Sequence, residues 1–135
     1  MKIKKIVLSI TLLSLVLVSF GCGGGPKMNE VSGKITINGQ VPTNMLEILF
    51  IPVEANKLGT ANGGTDANGS YKLFYPGGKQ GAPAGEYDVE ITVMPDSVGE
   101  GQKEIRIPSK YNTKTTLKAT VKPGVNENVN FDLEI

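Results

Sequence analysis

The stretch PAGEYDVEITV, residues 83–93, decides the fold, because its apolar and charged side chains alternate one by one. Successive side chains of a β-strand point to opposite sides. The pattern therefore predicts a strand with one buried face and one face in water. The apolar members are Tyr87, Val89, Ile91 and Val93, and the charged members are Glu86, Asp88 and Glu90.

The same alternation recurs along the chain between clusters of Gly, Pro, Asn and Asp. About seven short segments of this kind, separated by turns, are typical of an antiparallel β-sandwich, and this is the predicted fold class. No segment after the first 21 residues has a helical period. The other residues predicted to point inward are Val31, Gly33, Ile35, Ile37, Ile48, Phe50, Tyr71, Leu73, Tyr75, Ile105, Ile107, Leu117, Ala119, Val121, Val129, Phe131, Leu133 and Ile135.

One predicted strand departs from the rule. Leu49 and Ile51 fall on the face opposite Ile48 and Phe50, where polar residues are expected. A loop or the segment around Tyr111 would cover them, which we favour, or they would form an apolar patch for a partner.

The amino-terminal residues are typical of an export signal. Lys2, Lys4 and Lys5 precede an apolar run at residues 6–20. The run suits the core of a signal peptide and is shorter than the roughly 20 residues that span a bilayer as a helix. Residues 1–21 are therefore predicted to be a signal peptide.

The single cysteine, Cys22, follows this run directly after the small residue Gly21. This arrangement resembles the lipobox of bacterial lipoproteins. The resemblance implies cleavage before Cys22, a diacylglyceryl group on its sulfur and a fatty acyl chain such as palmitate on the new amine. An ordinary secretory peptide with a stray thiol is the alternative. Lipidation is favoured because no second cysteine is present for a disulfide.

Residues 22–28 are then predicted to be a lipidated cysteine with a glycine-rich flexible tether, and residues 29–135 a single domain. Loss of Lys2, Lys4 and Lys5 leaves 11 basic residues against 13 acidic ones, a net charge of −2. The charges are interspersed, which argues against nucleic acid as a partner.

Four stretches together resemble a known family. They are VSGKITINGQVP (31–42), residues 63–93, IPSKYNTKTTLKATVKPG (107–124) and VNFDL (129–133), and they cover nearly all of the domain. The most specific parts are TDANGSY (65–71) and PAGEY (83–87), both within residues 63–93. The resemblance is to small bacterial lipoproteins of planctomycete type with a carboxypeptidase regulatory-like, transthyretin-like β-sandwich. It implies an architecture and an envelope location but no reaction.

Asp66, Asn68 and Gly69 have the residue types of a calcium loop, but the Glu that such a loop needs further along is missing. A hairpin turn is the favoured interpretation, with the Asp side chain accepting backbone N–H groups and the glycine at positive φ. No metal and no cofactor are predicted.

Residues 75–87 are predicted to form the longest Gly/Pro-rich loop, and loops on rigid scaffolds often bind partners. Tyr75, Lys79 and Gln80 are its candidate contacts. The alternative is a solvated connection without a binding role.

Catalysis is not predicted, because the chain has no histidine and its one thiol is taken by the lipid. Ser109 and Lys110 adjoin in an apparent loop with no group to activate them. Lys34 and Asn130 lie in the first and last predicted strands, where related folds form Lys–Asn isopeptide bonds, but their phase places both in solvent.

The sequence thus predicts a membrane-anchored extracytoplasmic lipoprotein that serves as a non-catalytic structural or protein-interaction module of the cell envelope. It would be held in the cell membrane or outer membrane by lipid on Cys22, with envelope proteins or glycans as possible partners. The alternative is a glycan or small-ligand binding lipoprotein. The aromatic residues suited to contact a sugar in that role are Phe74, Tyr75 and Tyr111.

Overall fold

A computed structural model describes residues 25–54 and 58–135. The predicted signal peptide, Cys22 and the first part of the predicted tether lie outside the described residues. The described part is all-β, with two short 3-10 helices at Pro95–Ser97 and Ser109–Tyr111. Within these ranges no helix has the length and apolar character needed to cross a membrane.

Eleven strands are present in the described residues, four of them only two residues long. In chain order they are β1 Met28–Asn29, β2 Ser32–Ile37, β3 Leu46–Pro52, β4 Ala61–Gly64, β5 Ser70–Lys72, β6 Phe74–Tyr75, β7 Lys79–Gln80, β8 Ala82–Pro83, β9 Gly85–Val93, β10 Lys118–Val121 and β11 Phe131–Leu133.

The largest sheet has six strands in the order β10-β9-β3-β4-β6-β7, and every pair in it is antiparallel. Its longest ladder joins β3 and β9, from Leu46 opposite Val93 to Pro52 opposite Tyr87. The strands alternate in phase, so the register places Leu46, Ile48 and Phe50 of β3 on the same buried face as Tyr87, Val89 and Ile91 of β9. The strand predicted from residues 83–93 is confirmed as β9, which begins at Gly85.

A second sheet has the order β11-β2-β5, and β1 pairs separately with β8. The pairing of β2 with β5 is antiparallel, but β11 runs parallel to β2, with Phe131 opposite Ile35. The expectation of a purely antiparallel arrangement is therefore wrong at this point. The last strand, β11, lies beside β2 and runs in the same direction. A parallel pair of this kind needs a long crossover connection.

One core contains side chains from both larger sheets. The Phe50 ring lies 5.6 Å from that of Tyr87 and 6.4 Å, nearly edge-on, from that of Phe131, which joins the two sheets. Aromatic pairs at these separations add to the stabilisation from burial. The buried apolar residues are Val31, Ile35, Leu46, Ile48, Phe50, Ala61, Tyr71, Leu73, Ala82, Tyr87, Val89, Ile91, Tyr111, Val121 and Leu133.

The prediction of a long loop at residues 75–87 is wrong. β6 and β7 form a hairpin in which Tyr75 pairs with Lys79, and Gly77 and Gly78 at φ +87° and +79° make its turn. β8 and the start of β9 follow directly. Gly77 and Gly78, which suggested a loop, form the turn of this hairpin.

Ile105 and Ile107 are partly buried, but the chain around them forms no strand. The side-chain amides of neighbouring segments replace a sheet partner there: Asn44 Oδ1 accepts the Ile105 N–H at 3.0 Å, and Asn112 Nδ2 donates to the Ile107 carbonyl at 3.4 Å. Ile135, predicted to point inward, is 50% exposed because it lies two residues beyond the end of β11.

Candidate functional site

The strand from Ser70 to Tyr75 passes from one sheet to the other. Its first part, β5, pairs with β2, and its second part, β6, pairs with β4. Leu73 at the bend is fully buried, donates its N–H to the Val31 carbonyl at 3.0 Å and accepts the Gly81 N–H at 2.7 Å. A strand that changes sheets makes a corner, and here the outer faces of both sheets meet.

Two glycines allow the backbones at this corner to approach closely. A Cβ on Gly33 would lie 1.9 Å from the Val129 carbonyl oxygen, and one on Gly63 would lie 2.3 Å from that of Lys72. No real side chain tolerates such a contact. The corner therefore depends on glycine at both positions.

An open groove of about 620 Å³ lies at this corner, within the volume range of small-ligand sites. Polar side chains come from β2, from the turn before β5, from β5 itself and from the segment that precedes β11. We call it the corner groove and define it by Lys34, Asp66, Lys72, Phe74, Glu127, Asn128 and Asn130.

Phe74 is the one aromatic residue classed as exposed within residues 25–54 and 58–135, with 44% of its surface accessible. Phe74 pairs with Asn62 on β4 and with Gln80 on β7, and Asn62 pairs in turn with Leu49 on β3. Residues in register share a face of the sheet, so the Phe74 ring projects from the outer face and not into the core. It is the apolar wall of the corner groove.

The polar groups of the groove are held by the backbone. Asn130 Oδ1 accepts the backbone N–H of Lys34 at 2.8 Å, which fixes the amide and directs its NH₂ group away from β2. Asn128 has φ +57°, a left-handed conformation that Asn tolerates better than most residues. In the described part of the chain the ion pair found joins Lys118 and Asp88, so Lys34 and Lys72 have no carboxylate partner there.

Asp66 lies in a turn, as the sequence predicts. Its Oδ1 accepts the N–H groups of Asn68 at 2.8 Å and Ser70 at 3.0 Å, and Gly69 has φ +77°. The described residues contain no cluster of acidic or thiol groups suited to a metal ion.

The four predicted contact residues do not form one site. Lys79 and Gln80 are exposed on β7, the edge strand of the six-stranded sheet. Tyr75 is half-buried, and its hydroxyl accepts the Gly59 N–H at 2.8 Å. Gln80 shares the outer face with Phe74, whereas Lys79 shares the other face with Tyr75.

Tyr111 lies in the core with 7% of its surface exposed. Its hydroxyl accepts the Glu134 N–H at 2.8 Å and donates to the Glu134 carbonyl at 3.2 Å, so it clamps the residues after β11. Lys110 lies over the ring, 4.8 Å from its centre. Neither face of this ring is open to a ligand in the manner of Phe74.

Leu49 and Ile51 are half-buried on the outer face of β3. Across the ladder each has an acidic neighbour, Glu90 beside Leu49 and Asp88 beside Ile51. Lys34 and Asn130 are both exposed, in agreement with the phase read from the sequence.

Among the residues that the structure describes, three side chains have a pKa shifted from its ordinary value. Burial raises the pKa of Tyr71, whose hydroxyl donates to the Val129 carbonyl at 2.6 Å, and burial raises the pKa of Tyr87 to about 12, with a further contribution from Tyr75. Hydrogen bonds from the Thr36 hydroxyl and the Gly39 N–H lower the pKa of Asp132. The tyrosines are structural donors, and only Tyr71 borders the corner groove.

Comparison with protein-family models, with curated proteins and with solved structures gives no match for the chain. Among the groove residues, the sequence signal is clearest for Phe74, since alternation with Tyr71, Leu73 and Tyr75 leaves it on the opposite face. Lys72 carries the same signal, because it lies two residues before Phe74 on the same face. Glu127 and Asn128 carry none, because only the tertiary structure brings them to the groove.

Proposed function

We propose that the protein is a lipid-anchored, extracytoplasmic component of the bacterial cell envelope that acts as a non-catalytic structural or interaction module. The observation that carries the proposal is the position of Cys22, directly after an apolar run and a small residue. A thiol at that point is suited to acylation, and two or three acyl chains hold a protein durably at a bilayer.

The beginning of the fold supports a short tether. β1 starts at Met28, six residues after Cys22, and pairs with β8. Six extended residues reach about 20 Å at most. An acylated Cys22 would therefore keep the domain close to the membrane surface, as a structural module requires.

We further propose that the two larger sheets form a β-sandwich of the carboxypeptidase regulatory-like, transthyretin-like kind. The shared core is the support for this, because Phe50 on β3 contacts Phe131 on β11 across the two sheets. Facing sheets that interdigitate in this way are the defining feature of a sandwich.

An interaction role is supported by the outer face of the six-stranded sheet. Leu49 and Ile51 lie half-buried on β3, and exposed Phe74 lies on the same face of the sheet two strands away, beyond β4. A monomeric domain usually places polar residues on such a face, and apolar side chains rimmed by charge are characteristic of interaction surfaces.

The test is the Cys22→Ser variant expressed in a bacterium with lipoprotein processing. We expect the parent protein to sediment with membranes and to carry the added mass of acyl chains. The variant should lose both properties, because a serine hydroxyl does not ionise readily and cannot replace the cysteine thiolate as the nucleophile. Intact-mass measurement and membrane fractionation read the two effects.

Gly24→Ser is the matched control, since it introduces the same side chain two residues away and leaves the thiol in place. It should keep both the acyl mass and the membrane association. Retention of the Cys22→Ser variant in the membrane fraction, or an unmodified cysteine in the parent protein, would contradict the proposal.

A further inference from the structure

We propose that the corner groove is a binding site for an uncharged polysaccharide segment, with the Phe74 ring as the platform on which a sugar ring stacks. The proposal concerns the domain alone and does not depend on lipid at Cys22. It assigns to Phe74 the aromatic contact and to Lys72, Asn128 and Asn130 the hydrogen bonds to hydroxyl groups.

The first argument is the exposure of Phe74. Burial of a phenylalanine ring stabilises a fold, so a ring left 44% exposed next to a groove forgoes part of that stabilisation. The same strand buries Tyr71 and Leu73. A flat apolar surface at the side of a polar groove matches the apolar C–H face of a pyranose ring.

The second argument is the set of polar groups beside the ring. The Asn130 side chain is exposed and its oxygen is held by the Lys34 N–H, which leaves its NH₂ group as a donor. Asn128 offers both an amide donor and an acceptor, and Lys72 offers ammonium donors. Vicinal sugar hydroxyls both donate and accept, so a mixed set of amides and charged groups satisfies them.

The third argument is the balance of charge. Lys34 and Lys72 are matched by Asp66 and Glu127 around the groove. A groove with no excess of either sign does not attract a polyanion or a polycation. An uncharged saccharide is therefore favoured over uronic-acid or phosphate polymers.

The groove is less suited to a peptide. Peptide grooves usually provide several apolar pockets, whereas the corner groove has one apolar wall, the Phe74 ring. Its open shape does allow a chain to pass across it, as a polysaccharide segment would.

The experiment uses the purified full chain in detergent and measures binding by isothermal titration to a panel of soluble oligosaccharides. The panel contains the neutral cellotetraose, chitotetraose, xylotetraose and mannotetraose, with tetragalacturonate and chitosan tetramer as charged members and a random decapeptide pool as the peptide arm. We expect at least one neutral tetramer to bind with a Kd below about 1 mM.

Three variants define the contact. Phe74→Tyr keeps the flat ring and should keep the affinity, whereas Phe74→Leu keeps apolar bulk without a ring and should weaken it by about tenfold or more. Asn130→Asp retains the acceptor for the Lys34 N–H but loses the NH₂ donor, and should weaken binding about 2- to 10-fold. Cys22→Ser should leave the affinity unchanged, which separates this test from that of the anchor.

Three results would overturn the proposal. They are the absence of binding by every neutral tetramer up to about 1 mM, equal affinity of the parent and Phe74→Leu proteins, and binding confined to the charged sugars or the peptides. Unchanged thermal unfolding of each variant shows that a loss of affinity comes from the groove and not from misfolding.

Discussion

Phe50 and Phe74 belong to the same six-stranded sheet but lie on its opposite faces. Phe50, in the middle of β3, is fully buried between two neighbouring strands, whereas Phe74, in the two-residue strand β6, is 44% exposed. Identical side chains on one sheet thus serve the core at one place and a surface groove at the other. The face that each occupies, and not its hydrophobicity, decides this.

The structure around the two rings also differs. The β3–β9 ladder runs over seven residue pairs, and its inner face is filled by long apolar side chains. The corner at Leu73 relies on backbone hydrogen bonds and on glycines that allow close approach. The ladder is therefore stabilised mainly by burial, and the corner mainly by steric fit.

The largest expected effect contrasts the two phenylalanines. Phe50→Ala should lower the free energy of unfolding by about 3–5 kcal/mol, because it opens a cavity against Tyr87 and Phe131. Phe74→Ala should lower it by less than about 1 kcal/mol, since much of that ring is already in water. Urea unfolding followed by circular dichroism measures both. Equal losses would show that Phe74 supports the core.

A smaller effect is expected from the corner. Gly33→Ala should destabilise the protein by about 1–3 kcal/mol, because the new methyl group meets the Val129 carbonyl and two backbone segments must separate. Gly99→Ala is the matched control, since its methyl group would meet only the flexible Gln102 side chain. If both substitutions have the same small effect, the close approach at the corner is not required.

The smallest expected effect at neutral pH belongs to Tyr87, next to Phe50 in the core. Tyr87→Phe removes a hydrogen bond to the Pro83 carbonyl and should cost about 1 kcal/mol at pH 7. At high pH the difference has a distinct signature. Unfolded tyrosine ionises near pH 10, while burial keeps folded Tyr87 protonated to about pH 12.

The unfolded state therefore binds fewer protons above pH 10, and stability falls with rising pH by about 1.4 kcal/mol per unit for each such tyrosine. This stability is fully present below pH 10. Denaturant midpoints between pH 9 and 11.5 should fall less steeply for Tyr87→Phe than for the parent protein. Parallel curves would contradict the assignment of the alkaline loss to Tyr87.

Local pattern was sufficient for the strands and their inner faces where alternation was unbroken. β9 and the Asp66 turn follow from their own residues, because a two-residue period and an Asp–Gly turn are local properties. It was insufficient at residues 75–87, where glycines that form a hairpin turn resemble those of a loop. It also failed at Ile105, which is held by the Asn44 side chain instead of a strand.

The sequence by itself determined that the described part of the chain is all-β and which side chains form the inner faces of its central strands. Those properties depend on neighbours in the chain. Only the tertiary structure decided that β11 lies parallel to β2, that Tyr111 is buried, and that Phe74 stands beside Asn128 and Asn130. These depend on contacts between residues more than 20 positions apart in the chain, and no local pattern encodes them.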